Sequence, residues 1–124
     1  NPGLCLAEVH AILKLYNAHV EAYPALDDAH KGMTIFRDAV RRYTSTSTHF
    51  IMVNFYGKIK GLDLGGHFSV VGAYDEVSDS VLLLDVAGHK LPWYWVTLPH
   101  LYHAMNTQDS SGSKRGFLLV SDKP

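Results

Sequence analysis

The sequence predicts an α+β fold with a mostly antiparallel sheet. Three observations carry that expectation. Two amphipathic stretches with apolar residues at helical spacing occupy the first third of the chain. Three β-prone runs then follow one another from His49 to Asp85, and the last two fold back on each other around the turn residues Asp75 to Asp79. At 124 residues the chain fits one domain, 1–124, with a modest core.

Each element has its own justification. Leu6, Val9, Leu13 and Tyr16 recur at helical spacing with Ile12 beside them, so Leu4 to Asn17 is an amphipathic helix. Ala18 to Tyr23 alternates with period two and stops at Pro24, as a short strand does. Asp27 to Gly32 reads as a polar loop. Thr34 then caps a second helix that buries Ile35, Phe36, Ala39, Val40 and Tyr43 and turns Arg37, Asp38, Arg41 and Arg42 to water. After a Ser/Thr linker, His49 to Tyr56 is a central strand. Gly57 to Gly66, with four glycines and three charges, is a flexible connection. Beyond the hairpin, Val86 to Trp95 reads as an aromatic loop able to wall a cleft. A short helix opens at Pro99 and runs to Met105. Asn106 to Lys114 is a polar loop, and Gly116 to Val120 a final strand.

The hairpin from Gly65 to Asp85 organises the rest. Phe68 to Tyr74 and Ser80 to Leu84 are its arms, joined by a five-residue loop. If Tyr74 faces Ser80, Asp85 faces Ser69 and stands diagonally from His67. Diagonal neighbours lie roughly 7–8 Å apart at Cα, and side chains come closer. A carboxylate at 85 can then accept the Nδ1 proton of an imidazole at 67 and orient it as a general base. The alternative is a half-buried His in one strand and an Asp ending another, and a bulge would break the parity.

Composition excludes several classes. A formal charge of −1 and a pI near 6.8 give no footing for nucleic acid or an anionic membrane surface. No apolar run approaches the ~20 residues that span a bilayer. The first residues, Asn1-Pro2-Gly3-Leu4, lack an initiator Met and a signal-peptide pattern and read as a cut end. One Cys excludes an internal disulfide framework, and the eight His show no tight Cys/His zinc spacing. His100 and His103 share a helix face but lack a third ligand nearby. No tightly held metal or cofactor is expected.

Gly66-His67-Phe68-Ser69, then Leu82-Leu83-Leu84-Asp85-Val86-Ala87, then Lys90, Pro92, Trp95 and Val96, then Ala104-Met105-Asn106-Thr107 with Asp109, and Arg115-Gly116-Phe117 together resemble phytochelatin synthase in order and spacing. The resemblance, to the bacterial-type members in particular, implies a papain-like fold and a Cys-His-Asp triad. In that family a Cys thiolate attacks the Cys–Gly amide of glutathione and releases glycine. The γ-glutamylcysteinyl group then passes to a second glutathione or to water. His67 matches the catalytic His and Asp85 the catalytic Asp, with Gly66, Phe68 and Arg115 as candidate substrate-binding residues. A heavy-metal ion enters only as the glutathione-thiolate co-substrate.

The nucleophilic Cys of the family lies on a helix upstream of this region, after a Gln, so the resemblance implies that the chain lacks that N-terminal helix. The expected partners are glutathione or a γ-glutamyl thiol peptide, together with the missing Cys-bearing segment or a second copy of the chain that covers the exposed apolar face. The resemblance also reveals departures: Gly88 stands where relatives carry an Arg expected to contact the acyl donor, and Leu91 where they carry a Tyr. Two other readings stay open. Cys5, which precedes His67 and Asp85 in papain-like order at a helix start where the dipole favours a thiolate, is an alternative nucleophile for a small cysteine peptidase. An inactive domain that binds thiol peptides or metal–thiolates is the other. A glutathione substrate implies the cytoplasm, with periplasm or export as the alternative.

Overall fold

The computed structural model describes residues 5–59, 62–85 and 93–122. The elements in chain order are α1 (Leu6–Leu15), β1 (His19–Pro24), α2 (Ala29–Tyr43), β2 (His49–Ile59), β3 (Leu62–Asp75), β4 (Ser80–Asp85), β5 (Trp93–Thr97), α3 (Leu98–Met105) and β6 (Gly116–Ser121). The strands form one sheet in the order β1-β6-β2-β3-β4-β5, and each neighbouring pair is antiparallel. The expected α+β class and antiparallel sheet are therefore present. No helix among the described residues is long and apolar enough to cross a membrane.

The pleat sorts side chains onto two faces. On one face Ile51, Val53 and Phe55 of β2 join Leu83, Tyr94 and Phe117 from neighbouring strands beneath α2 and α3, which contribute Phe36, Val40, Leu98, Leu101, Tyr102 and Met105. On the other, Leu6 of α1 packs on Val20, Leu118 and Val120. That second layer covers only the β1 side of the sheet. Towards the β5 edge, Trp93 and Trp95 remain 71% and 48% exposed.

Three elements differ from expectation. The segment 27–32 is not a loop: α2 starts at Ala29, capped by Asp28, whose carboxylate accepts the Lys31 N–H at 3.1 Å. Thr34 is no cap; inside the helix, its hydroxyl donates to the His30 carbonyl. Gly32 turns inward, and a Cβ there would lie 1.8 Å from the Tyr102 hydroxyl, so the glycine allows α2 and α3 to touch. Second, the glycine-rich stretch 57–66 is largely two strand arms, with Lys58 paired to Asp63 and Ile59 to Leu62, and an irregularity at Gly57 (φ 149°). Third, Trp93 to Thr97 is not loop but the edge strand β5, which pairs with β4 and alternates exposed Trp93 and Trp95 with buried Tyr94 and Val96. α3 opens with Pro99 in its first turn, where a missing N–H costs nothing.

Candidate active site

The β3–β4 hairpin sets position 85 opposite Ser69, by a register that differs from an uninterrupted count. Tyr74 pairs with Val81 and Asp75 with Ser80, so the loop is four residues, 76–79, rather than five. Asp79 closes it at φ 51°, a left-handed conformation that Asp tolerates better than most residues. Further along, the register slips between Val71 and Ala73, leaving Gly72 as the extra residue of a bulge. The two departures cancel, and Ser69 pairs with Asp85 as the simpler count predicts.

His67 lies two residues before Ser69 on β3, paired across to Phe55 of β2. Its ring meets the Phe55 ring edge-on, with centroids 5.6 Å apart and planes at 65°. The imidazole is half-buried, while Ser69 is fully buried and its hydroxyl has no hydrogen-bond partner among the described residues.

Gly66 and Arg115 meet beside His67. Arg115 is neither an exposed side chain nor an unanchored one: Nη1 donates to the Gln108 carbonyl at 2.6 Å and to Thr107 Oγ1 at 3.2 Å, and the guanidinium lies 5.2 Å from the centre of the Tyr56 ring. A Cβ at Gly66 would come within 3.0 Å of Arg115 Nη2, so the glycine leaves room for the buried cation. Phe68 is on the opposite face, packed against the α1 cluster, and does not share a face with His67. Asp109, which the sequence places in a polar loop and among the residues of the family resemblance, is also notable. One carboxylate oxygen accepts from the Ser111 N–H and hydroxyl and from the Ser113 N–H, and the other is buried without a partner among the described residues. The Ser111 hydroxyl above all, with the Arg115 charge contributing, holds this carboxyl below the usual carboxylate range.

Cys5 is not brought to His67. It caps α1, its N–H donating to Glu8 Oε1 at 2.8 Å, and α1 packs beside β1 and β6 on the face opposite His67. His100 and His103 are exposed on α3, and among the described residues no group of three or more His, Cys, Asp or Glu could hold a metal ion. Gly88 and Leu91 lie outside the described residues.

The turn end of the same hairpin is also polar but differently arranged. Arg37 of α2 does not simply face water. It grips Asp79 through Nε to Oδ1 at 3.0 Å and Nη2 to Oδ2 at 2.7 Å, while the Tyr74 hydroxyl donates to Oδ1 at 2.6 Å. The Asp79 carbonyl accepts the Leu98 N–H at 2.7 Å, tying the turn to the start of α3. The Arg37 hydrogen bonds hold the Asp79 carboxyl below its ordinary range, and burial raises the Tyr74 phenol.

With this geometry in place, the comparisons are decisive on kinship. The phytochelatin synthase family model matches residues 1–117. The chain belongs to the phytochelatin synthase family. It is 33% identical over 120 residues to glutathione gamma-glutamylcysteinyltransferase 3 of Lotus japonicus, covering 96% of this chain and 24% of the relative. It is 36% identical over 125 residues to glutathione gamma-glutamylcysteinyltransferase 1 of Arabidopsis thaliana, again over 96% of this chain and 24% of the relative. The glutathione gamma-glutamylcysteinyltransferase of Schizosaccharomyces pombe is 37% identical over 86 residues, 68% of this chain and 21% of that protein. The chain thus spans about a quarter of the length of the first two relatives.

Proposed function

We propose that this chain supplies the His–Asp pair of a phytochelatin-synthase-like cysteine acyltransferase acting on glutathione, within a papain-like arrangement whose Cys-bearing helix belongs to the same enzyme. The observation that supports it best is the pairing of Ser69 with Asp85, which sets position 85 diagonally across from His67. In the proposed reaction His67 takes the proton of the nucleophilic thiol, giving a thiolate and an imidazolium. The thiolate attacks the carbonyl carbon of the Cys–Gly amide; the C–N bond breaks, and glycine leaves with the imidazolium proton. A thioester to γ-glutamylcysteine remains. His67 then removes a proton from the amine of a second glutathione, or from water, as that group attacks and the thiol is released. Asp85 holds the imidazole tautomer throughout and stabilises its positive form.

Arg115 and Gly66 stand at the same end of the sheet, where a guanidinium suits a substrate carboxylate. A heavy-metal ion enters as the metal–thiolate form of glutathione. Glutathione use places the reaction in the cytoplasm. The separation of Cys5 from His67 by the sheet favours this reading over a peptidase that uses Cys5.

Glycine release from glutathione by the intact protein tests the proposal. Replacing His67 with Ala should lower the rate by about 10³-fold or more, the scale of losing a triad base, with the fold retained by circular dichroism. A His67→Ala protein that releases glycine within a few-fold of wild type overturns it and leaves the inactive binding domain as the better reading.

A further inference from the structure

In the role proposed for it, His67 must present its ring nitrogens in one direction, and catalytic groups work within about 10–20° of the productive geometry. The side chain does not supply that order by itself. The outer torsion of a histidine is broad rather than staggered, and this imidazole is only half-buried. Its neighbours must therefore choose the plane. Among the described residues the β3–β4 ladder ends at Ser69 and Asp85, so β4 sets nothing directly across from His67. Phe55 of β2 is its cross-strand partner, on the same face of the sheet. That ring is fully buried in the core beneath α2 and α3, which fixes it from behind. It meets the imidazole edge-on, with centroids 5.6 Å apart and planes at 65°, a separation and tilt that aromatic pairs favour. Having no polar atom, Phe55 restrains the imidazole without occupying either ring nitrogen.

We infer that Phe55 is a positioning residue, its buried ring setting the plane of the His67 imidazole for proton transfer. The inference rests on the role proposed above for His67. An aliphatic side chain of similar volume would fill the same space without the edge-to-face preference, and the imidazole plane would then be free to turn. Phe55 touches no reacting atom in this account and acts only through His67.

The test is a double-mutant cycle in the intact protein: Phe55→Leu, His67→Ala and the two combined, with Phe55→Tyr and Ile51→Val beside them and glycine release from glutathione as the readout. Each variant is assayed where circular dichroism shows it folded. Phe55→Leu should lower kcat about tenfold, the scale of one edge-on aromatic pair. KM should stay within about twofold, since the substrate is not touched. Phe55→Tyr, which keeps the ring, should stay within about threefold of wild type. Ile51→Val thins the same buried face of β2 away from His67 and should leave kcat unchanged. In the His67→Ala background, Phe55→Leu should cost nothing further. If Phe55→Leu does not fold, Phe55→Met fills the space without a ring and carries the same expectations. Wild-type kcat in the folded, ringless variant overturns the inference, as does a loss matched by Ile51→Val or one that persists in full without His67. If His67→Ala itself releases glycine within a few-fold of wild type, the underlying role of His67 fails. If His67→Ala is inactive while Phe55→Leu matches wild type, only the role of Phe55 falls.

Discussion

At its turn, the β3–β4 hairpin carries Asp79 with both carboxylate oxygens engaged by Arg37 and Tyr74 and its carbonyl bound to α3. At its open end it carries a half-buried His67, a buried Ser69 hydroxyl with no partner among the described residues, and the position of Asp85. At the turn the Asp79 carboxylate is fully engaged, whereas at the open end the buried Ser69 hydroxyl has no partner among the described residues. Polar groups kept for stability tend to satisfy one another, and departures from that rule gather where chemistry is done. On the function proposed above, the turn serves stability and the open end serves catalysis.

Substitutions at the two ends should separate those properties. The largest effect belongs to Asp85→Asn, which should reduce glycine release by about 10³-fold while the melting temperature stays close to wild type. An Asp85→Asn protein that is active but unstable would break the comparison.

Asp79→Ala comes next. It removes a bidentate Arg37 pair and the Tyr74 hydrogen bond, and it places Ala at a positive φ, so unfolding should become easier by about 1–3 kcal/mol with kcat unchanged. The pair is partly exposed, with side chains 27% and 31% accessible, which holds the effect to the lower part of that range. Its pH signature is smaller and signed. The folded-state carboxyl of Asp79 is depressed, so its contribution is present above the unfolded carboxylate value, near 4, and is lost as pH falls through the folded value. Stability of wild type should therefore drop more steeply in acid than that of Asp79→Asn, which keeps the tolerated left-handed turn; equal slopes would sink the assignment. The smallest change sharpens the contrast from the other side: Val77, 97% exposed at the tip of the turn, should accept Thr within about 0.5 kcal/mol.

Much of this was readable in the residues, and the failures have physical reasons. The β-prone run His49 to Tyr56 lies within β2, and of the helical stripe from Leu6 to Tyr16, Leu6, Val9 and Leu13 pack on the sheet while Tyr16 is exposed just past the end of α1. The pairing of Ser69 with Asp85 was legible, although the count reached it through a loop one residue too long and without the Gly72 bulge. A glycine inside a strand pattern was the available sign. β5 was hidden because Trp93-Tyr94-Trp95 is apolar at every position and shows no alternation, while its burial does alternate. The start of α2 is hidden because Gly32, a packing contact with Tyr102, gives the segment the composition of a loop. The anchoring of Arg115 depends on Thr107 and Gln108 being folded back from a loop, which no local pattern encodes.

The central claim is that the two ends of one hairpin divide stability from catalysis, and one crossed measurement tests it: melting temperature and glycine release from glutathione, both determined for Asp79→Ala and Asp85→Asn in the intact protein. Asp79→Ala should melt several degrees lower with wild-type kcat at a temperature where it is folded, and Asp85→Asn should melt as wild type with activity nearly abolished. Asp85→Asn retaining wild-type glycine release, or Asp79→Ala losing it while fully folded, would contradict the account.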